Sequence, residues 1–489
     1  MKLSELCSYL NEYNTFDFIE KEISGITHDS RNVKADYIFV AIKGYKLDGH
    51  DFVNSSIEKG AVAIVSERRV ETSKKVPQIV VNNTRLALAF MSRQFFGDPS
   101  SRMIITGITG TNGKTTTSYF TKSIIEASGY EAGLIGTIQY QIGSMIIPAQ
   151  ETTPESVDIL SYLSEMLKSN IRYAVIEASS HAISQHRLDG IRFNSIIFTN
   201  LSAEHLDYHE NITNYRAEKT KLVNKLGQDA FTILNADHNA SKHFAECTKS
   251  KVIWYGIKCK KADVTAEILN VSACATKFLL NSPWGKEIID LKLVGKHNTY
   301  NALAAAANGL SLDFKIEDVK KGIESLSVVP GRLEKINYGQ NFDIYIDFAH
   351  THQALQVILS TLREITRGRI ILVFGCGGDR DRKKRPKMGH IAEKYSDLFW
   401  ITNDNPRSED PLGIIHEIQK GIRKDASFRI QLDRKVAIEE AIAEAKKGDT
   451  LIIAGKGHEQ YQIIKNRRYP FDDREVVKQF LGSALIQSS

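Results

Sequence analysis

The stretch Ile105–Tyr119, I-T-G-I-T-G-T-N-G-K-T-T-T-S-Y, constrains this chain more than any other. A β-type run (Met103, Ile104, Ile105) leads into glycines at Gly107, Gly110 and Gly113. Lys114 and three threonines follow, and then helical spacing at Phe120, Ile124 and Ile125. Strand, glycine turn, Lys-Thr and helix together suit a nucleotide polyphosphate. Glycines let main-chain N–H groups close on phosphate oxygens, and the helix N-terminus adds a favourable dipole. Lys114 is expected to reach the outer phosphates and the Thr115 hydroxyl to hold Mg²⁺. Ile108 stands where the longer P-loop spacing requires glycine, so the pattern is the shorter G-x-x-G-K-T. A plain turn joining strand to helix is the alternative, and Lys-Thr-Thr at the helix start argues against it.

Length and composition bound the rest. A chain of 489 residues exceeds one core, and about three domains is the length expectation. Hydrophobic content of 42% and charged content of 25% fit an ordinary globular protein. No apolar run approaches the roughly 20 residues of a membrane span. The N-terminus carries Glu5 early and lacks the apolar core of a signal peptide. Five cysteines, Cys7, Cys247, Cys259, Cys274 and Cys376, include no C-x-x-C pair. They fit a reducing cytoplasm rather than a disulfide framework or a zinc ribbon. Net charge is +6, and its densest run, Arg380–Lys387, is interrupted by Asp381 and has no interleaved aromatics. Small anionic ligands are therefore expected, not nucleic acid.

Three regions follow from the punctuation. Residues 1–98 read as a small α/β unit, with strands at Tyr37–Ile42 and Ala61–Val65 and a helix at Thr84–Phe95. Gly97-Asp98-Pro99-Ser100-Ser101 ends it. Residues 99–330 alternate strand-like runs (Met103–Ile105, Tyr173–Ile176, Ser195–Thr199, Phe231–Leu234, Val252–Tyr255) with helical ones. A mostly parallel sheet with helices on both faces is the expectation. Pro330-Gly331-Arg332 opens a third α/β region, 331–489, with strands at Phe342–Ile346, Ile370–Phe374, Leu398–Thr402 and Thr450–Ala454. Ligands in such sheets sit at the carboxyl ends of strands, where several polar clusters fall.

Glu177 directly follows an apolar strand, where a carboxylate suits Mg²⁺ facing phosphates. An acidic strand end in solvent is the plainer alternative. His205 and His209, at i and i+4, invite a zinc reading, but no third ligand accompanies them. Gly457-His458-Glu459 has Gln462 where a second zinc-binding histidine would stand. On its own Lys219 reads as a surface lysine, and Thr27-His28-Asp29-Ser30-Arg31 reads as a turn.

Taken together, the motifs resemble those of the Mur ligases, ATP-dependent amide-forming enzymes of peptidoglycan precursor synthesis. Ile108–Thr116 is similar to the family's ATP loop. Glu177–His181, Asn200–Ser202 with His205–His209, Gly295–Asn298 with Asn301, Gly331-Arg332 and Asp347–His350 match its other blocks, in order, over essentially the whole chain. Asp404-Asn405-Pro406-Arg407 is similar to the motif of the branch that uses meso-diaminopimelate rather than lysine.

The resemblance implies a three-domain α/β fold. It has a small N-terminal domain for the UDP substrate, a central P-loop ATPase-type parallel sheet and a C-terminal Rossmann-like domain for the amino acid. It implies ATP and Mg²⁺ as cofactors, UDP-N-acetylmuramoyl-L-alanyl-D-glutamate and meso-diaminopimelate as substrates, a cytoplasmic location and a monomer. Lys114, Glu177, His205 and Lys219 would be catalytic. The metal would lie among Thr115, Glu177, His205 and Lys219, the lysine as its carbamate. ATP would be held by Gly110, Thr111, Asn112, Gly113, Lys114, Thr115 and Thr116, with Asn298, Arg332, Asp347 and His350 from further along the chain. The nucleotide-peptide would meet Asp29, Ser30 and Arg31 at its uridine end, and Thr152, Thr153, Ser179, Gln185 and Arg187 near the peptide and sugar. Diaminopimelate would meet Arg380, Asp404, Asn405, Arg407, Gly455 and Glu459. Its extra carboxylate suits a bidentate guanidinium, which Arg407 supplies. Two departures stand out: His352-Gln353 replaces the usual Pro-Asp, and Phe348 replaces a Tyr. A lysine-adding or folylpolyglutamate-type ligase is the alternative in the same fold. A P-loop ATPase or binding module is the alternative of another class.

Overall fold

The computed structural model describes residues 1–44, 47–272, 275–465 and 467–487, so Cys274 lies outside the described residues. Cys7, Cys247, Cys259 and Cys376 form no disulfide among them. The chain divides into two compact units. The first comprises 1–202, 211–254 and 307–314, and the second 203–210, 255–306 and 315–489.

In the first unit, uninterrupted apolar runs become strands buried on both faces, the pattern of parallel sheets covered by helices. One sheet has the order Tyr13–Phe16, Gln78–Val81, Ala61–Ser66, Tyr37–Val40, Gly25–Thr27. Only the edge strand Tyr13–Phe16 runs antiparallel to its neighbour. Ile38, Val40 and Val65 fill one face, and Phe39, Ala41 and Ile64 fill the other. Helix Thr84–Phe95 starts where expected, because the Asn83 side chain caps it by accepting from Leu86 N. Arg85 ties this helix to the next region through Glu155, 2.8 Å away.

The second sheet of this unit runs in parallel order Phe231–Asn235, Ser195–Phe198, Ile104–Thr109, Tyr173–Glu177, Ala132–Ile135. The glycine-loop strand is thus central. An antiparallel hairpin, Gln139–Ile142 and Met145–Pro148, extends the edge. One expectation needs correction: the strand continues to Thr109, so Gly107 belongs to it and not to the turn. A Cβ at Gly107 would come within 2.5 Å of Ile196 Cδ1 and 2.9 Å of Phe193 Cε1, so its role is close packing.

The second unit contains an antiparallel set, Val264–Val271, Thr276–Ser282 and Gly285–Leu291, that the reading of alternating strands and helices did not include. Its six-stranded sheet has the order Glu334–Ile336, Asp343–Asp347, Thr450–Ala454, Ile370–Phe374, Leu398–Ile401, Phe428–Ile430. All its pairs are parallel except the first. Buried clusters lie on both faces, as in a Rossmann-like layer structure. The carboxyl ends carry Asp347, Gly375–Gly378, Thr402–Asn405 and Gly455, the position where such sheets bind ligands. No described helix is long and apolar enough to cross a membrane.

Candidate functional site

The glycine loop is closed onto the end of the neighbouring strand. Thr111 N donates to Asn200 O at 2.9 Å and Asn112 N to Asn200 Oδ1 at 3.0 Å. In return, Thr199 Oγ1 and Asn200 Nδ2 donate to Asn112 O at 2.7 and 2.9 Å. Gly110 (φ +142°) and Gly113 (φ +88°) take conformations that side chains resist. A Cβ on Gly110 would lie 2.0 Å from Thr199 Oγ1. Gly113 heads helix Lys114–Ala127 without a capping side chain, so the first-turn amides face the loop mouth, as an anion site requires. Lys114 Nζ donates to Gly110 O at 3.0 Å and Thr111 O at 2.9 Å, lying across the loop. Gly110→Ala should therefore displace the loop, cost about 1–3 kcal/mol from strain and sharply weaken nucleotide binding. Thermal unfolding with nucleotide titration checks this; wild-type affinity would contradict it.

Beside the loop, Glu177 is wholly buried at its strand end. Its Oε2 accepts from Thr115 Oγ1 and Thr137 Oγ1, both at 2.9 Å, and its Oε1 from Thr137 N at 2.9 Å. A carboxylate and a hydroxyl in contact at a phosphate loop are hard oxygen donors of the kind Mg²⁺ takes. Lys219, 1% exposed on helix Ile212–Asn224, lies beneath the loop. Its Nζ donates to Gly110 O at 3.1 Å and sits 4.6 Å from the Tyr215 ring centroid. It is no surface lysine. Among the described residues no group of three or more His, Cys, Asp or Glu gathers to hold a metal. His205 belongs to the second unit, with a left-handed φ of +55° ahead of the turn Leu206–His209.

The residues expected near peptide and sugar join this cluster. Thr153 Oγ1 donates to Glu177 O at 2.5 Å and accepts from Ser179 N at 3.1 Å, and Thr152 Oγ1 lies 3.2 Å from Thr137 Oγ1. Arg187 donates to Thr153 O at 2.7 Å and Gln185 Oε1 at 2.8 Å, and pairs with Glu151 and Glu155. At Asp29–Arg31 the structure is a tight turn. The Asp29 carboxylate accepts from Arg31 N and Nε, both at 2.9 Å. Arg31's hydrogen bonds hold it below the usual carboxylate range. Lys59 Nζ donates to Ser30 O at 2.8 Å.

In the second unit, Asp347 is buried between two amides, Leu333 N on Oδ2 and Ala349 N on Oδ1, both at 2.7 Å. Desolvation raises its pKa, and Arg332 opposes this. Arg332 stacks over Phe348 at 4.9 Å. His350 Nε2 lies 3.7 Å from Glu204 Oε1, adjacent in sequence to His205. Desolvation first, then the Lys384 ammonium, hold His350 below the ordinary imidazole range. Asn298 is engaged locally, donating to Val294 O at 2.9 Å. Thr351 caps helix His352–Ile365, so position 352 is the first helical residue, where proline and histidine both fit.

The residues expected to meet the amino acid lie in one network. Asn405 Nδ2 and Lys456 Nζ both donate to Glu459 Oε2 at 2.9 Å, and Lys456 Nζ also reaches Asn405 Oδ1 at 3.3 Å. Arg407 Nη1 donates to Gly378 O at 2.7 Å. Burial, and then the nearby Arg380 guanidinium, lower the Arg407 pKa. Arg380 Nη1 donates to Asp379 O at 3.1 Å. Asp404 Oδ2 is buried without a hydrogen-bond partner, 2.6 Å from where a Cβ on Gly455 would lie. Such an orphaned carboxylate oxygen suits an incoming ammonium.

Sequence reasoning missed Thr137, the clamping role of Asn200, and Lys456. Thr137 follows a strand end and Lys456 sits between glycines, so both carried a weak positional signal. Lys456 is wholly buried, and Lys456→Met leaves Glu459 and Asn405 short of a charged donor. Amino-acid kcat/KM should fall about tenfold or more, following the 1.5–3 kcal/mol typical of a charged hydrogen bond. Steady-state kinetics check this, and an unchanged value would remove Lys456 from the site.

Comparison with known proteins gives concordant findings. Three family models match: "Mur ligase family, catalytic domain" over residues 22–96, "Mur ligase middle domain" over 108–309 and "Mur ligase, glutamate ligase domain" over 331–457. The chain is 41% identical over 494 residues to a UDP-N-acetylmuramoyl-L-alanyl-D-glutamate–2,6-diaminopimelate ligase of Bacillus velezensis, covering 100% of this chain and 99% of that protein. It is 42% identical over 487 residues to the same-named protein of Clostridium tetani, covering 98% and 99%. Its structure is similar to a solved UDP-N-acetylmuramoyl-L-alanyl-D-glutamate–2,6-diaminopimelate ligase, with TM-score 0.66, 30% identity and coverage of 94% and 95%. It shares the fold of the MurF ligase of Thermotoga maritima in complex with ADP, with TM-score 0.65, 18% identity and coverage of 95% and 98%.

Proposed function

Because the chain belongs to the Mur ligase family, we propose that it joins meso-diaminopimelate to the D-glutamate of UDP-N-acetylmuramoyl-L-alanyl-D-glutamate at the expense of ATP. The observation that supports this most is the contact between Thr115 of the phosphate loop and buried Glu177, because it joins a phosphate cradle to a carboxylate. The functional domains are 1–98, 99–330 and 331–489, for the UDP substrate, ATP and amino acid respectively. The enzyme works in the cytoplasm as a monomer.

An oxygen of the D-glutamate γ-carboxylate attacks the terminal phosphorus of ATP, giving an acyl phosphate and ADP. The amine of diaminopimelate then adds to the carbonyl carbon and loses a proton, and phosphate leaves with its bonding pair. Two anions must first approach, which requires positive charge and fixed dipoles between them. Lys114 leaves the Gly110 and Thr111 carbonyls for the outer phosphates, and the first-turn amides of helix Lys114–Ala127 meet the rest. Thr153, Ser179 and Arg187 hold the peptide carboxylate near Glu177. Thr115, Glu177 and the Lys219 carbamate would hold Mg²⁺ within the first unit. When bound, the ion neutralises charge between phosphate and carboxylate. Carbamylation would change Lys219 from a cation beneath the loop into an anion able to orient metal.

Incubation of the protein with ATP, Mg²⁺, the nucleotide-dipeptide and a panel of amines tests the assignment by product mass. A product heavier by diaminopimelate less water is expected, with lysine and glutamate poor. Preferential incorporation of lysine or glutamate would overturn it.

A further inference from the structure

Arg385 is wholly buried on helix Lys384–Tyr395, behind the two turns that carry Arg380 and Arg407. A guanidinium is costly to bury unless its donors are met; here both terminal nitrogens are met by a fork, while Nε has no partner among the described residues. Nη1 and Nη2 donate to Glu409 Oε2 and Oε1, each at 2.8 Å. Nη1 also reaches Glu417 Oε2 at 2.8 Å, and Nη2 reaches Gly377 O at 3.2 Å. Glu409 Oε1 in turn accepts from Asp379 N at 2.6 Å. One carboxylate–guanidinium pair therefore grips both the Gly377–Asp379 turn and the Pro406–Glu409 turn.

The turns also touch directly. Gly378 N donates to Asn405 O at 2.9 Å, and a Cβ on Gly378 would lie 1.9 Å from Pro406 O. Ser408 Oγ donates to Asp379 Oδ1 at 2.6 Å. Arg407 itself holds a left-handed φ of +51°, a conformation a non-glycine residue keeps only when its surroundings impose it.

We infer that Arg385 is the positioning residue for amino-acid selection: through Glu409 it locks the two turns together and fixes where Arg407 presents its guanidinium. This rests on the reading of Arg407 as the carboxylate-binding group. Lysine at 385 keeps the charge but cannot span both oxygens of Glu409 and the Gly377 carbonyl.

Arg385→Lys should raise KM for the amino acid at least tenfold while KM for ATP and for the nucleotide-dipeptide stays within twofold. Discrimination between diaminopimelate and lysine should narrow. Glu409→Gln, which keeps side-chain volume and breaks the fork from the other side, should give the same split if Arg385→Lys folds poorly. A thermal midpoint that falls with all three KM values moving together, or with kcat alone reduced, would overturn the clamp. Should the wild-type protein couple a different amino acid, the proposed substrate falls, and the same split measured with that amino acid still decides the role of Arg385.

Discussion

Lys114→Met is expected to lower kcat for phosphate release by about 10²–10³-fold, the typical loss when one preorganised transition-state donor is removed. Lys114 Nζ rests on the Gly110 and Thr111 carbonyls, so its charge is already within the loop that receives the triphosphate. Little reorganisation is needed to transfer those donors to phosphate oxygens, and methionine retains most of the side chain's bulk while offering no donor. The fold should survive, because the loop is also held by the four bonds between its Thr111–Asn112 segment and Thr199–Asn200. Circular dichroism and thermal unfolding separate the two effects. A kcat within threefold of wild type would remove Lys114 from the chemistry.

Arg407→Ala should lose roughly 1.5–3 kcal/mol or more of transition-state binding with diaminopimelate, which is about 10–150-fold in kcat/KM. The proposed amino-acid end brings three cations, Arg380, Arg407 and Lys456, near three anions, Asp379, Asp404 and Glu459. That balance suits the zwitterionic far end of diaminopimelate and penalises the lone ammonium of lysine. Activity with lysine should therefore change less than activity with diaminopimelate. Arg407→Lys should not restore the loss, because an ammonium cannot bind a carboxylate in bidentate fashion. Unchanged diaminopimelate kinetics in Arg407→Ala would place the selectivity elsewhere.

The phosphate loop was legible because its chemistry is local: glycine, lysine and threonine at fixed offsets impose a strand–turn–helix whatever the rest of the chain does. The α/β class, with its parallel strands, was legible for a similar reason, since runs such as Ile370–Phe374 are apolar at every position and buried on both faces. Residues that reach the site through tertiary pairing were not. Thr137 lies 40 residues from Glu177 in sequence and meets it only because their strands are neighbours in the sheet. Lys219 resembled any helical lysine, and only folding puts its amine beneath Gly110. Arg385 sat in a basic run from which small anionic ligands were expected, and nothing in the run marks it out, yet it alone of Arg382–Lys387 is wholly buried. The antiparallel strands from Val264 to Leu291 escaped because exposed charged residues, Glu267, Lys277, Lys286 and Asp290, interrupt them, which breaks an apolar-run signal.

Transfer of an oxygen atom tests the central claim most directly. With ¹⁸O placed in the D-glutamate γ-carboxylate, one labelled atom should appear in each phosphate released, and release should nearly stop when either the dipeptide nucleotide or diaminopimelate is withheld. Unlabelled phosphate, or brisk ATP cleavage without the amine, would contradict activation of that carboxylate by phosphoryl transfer.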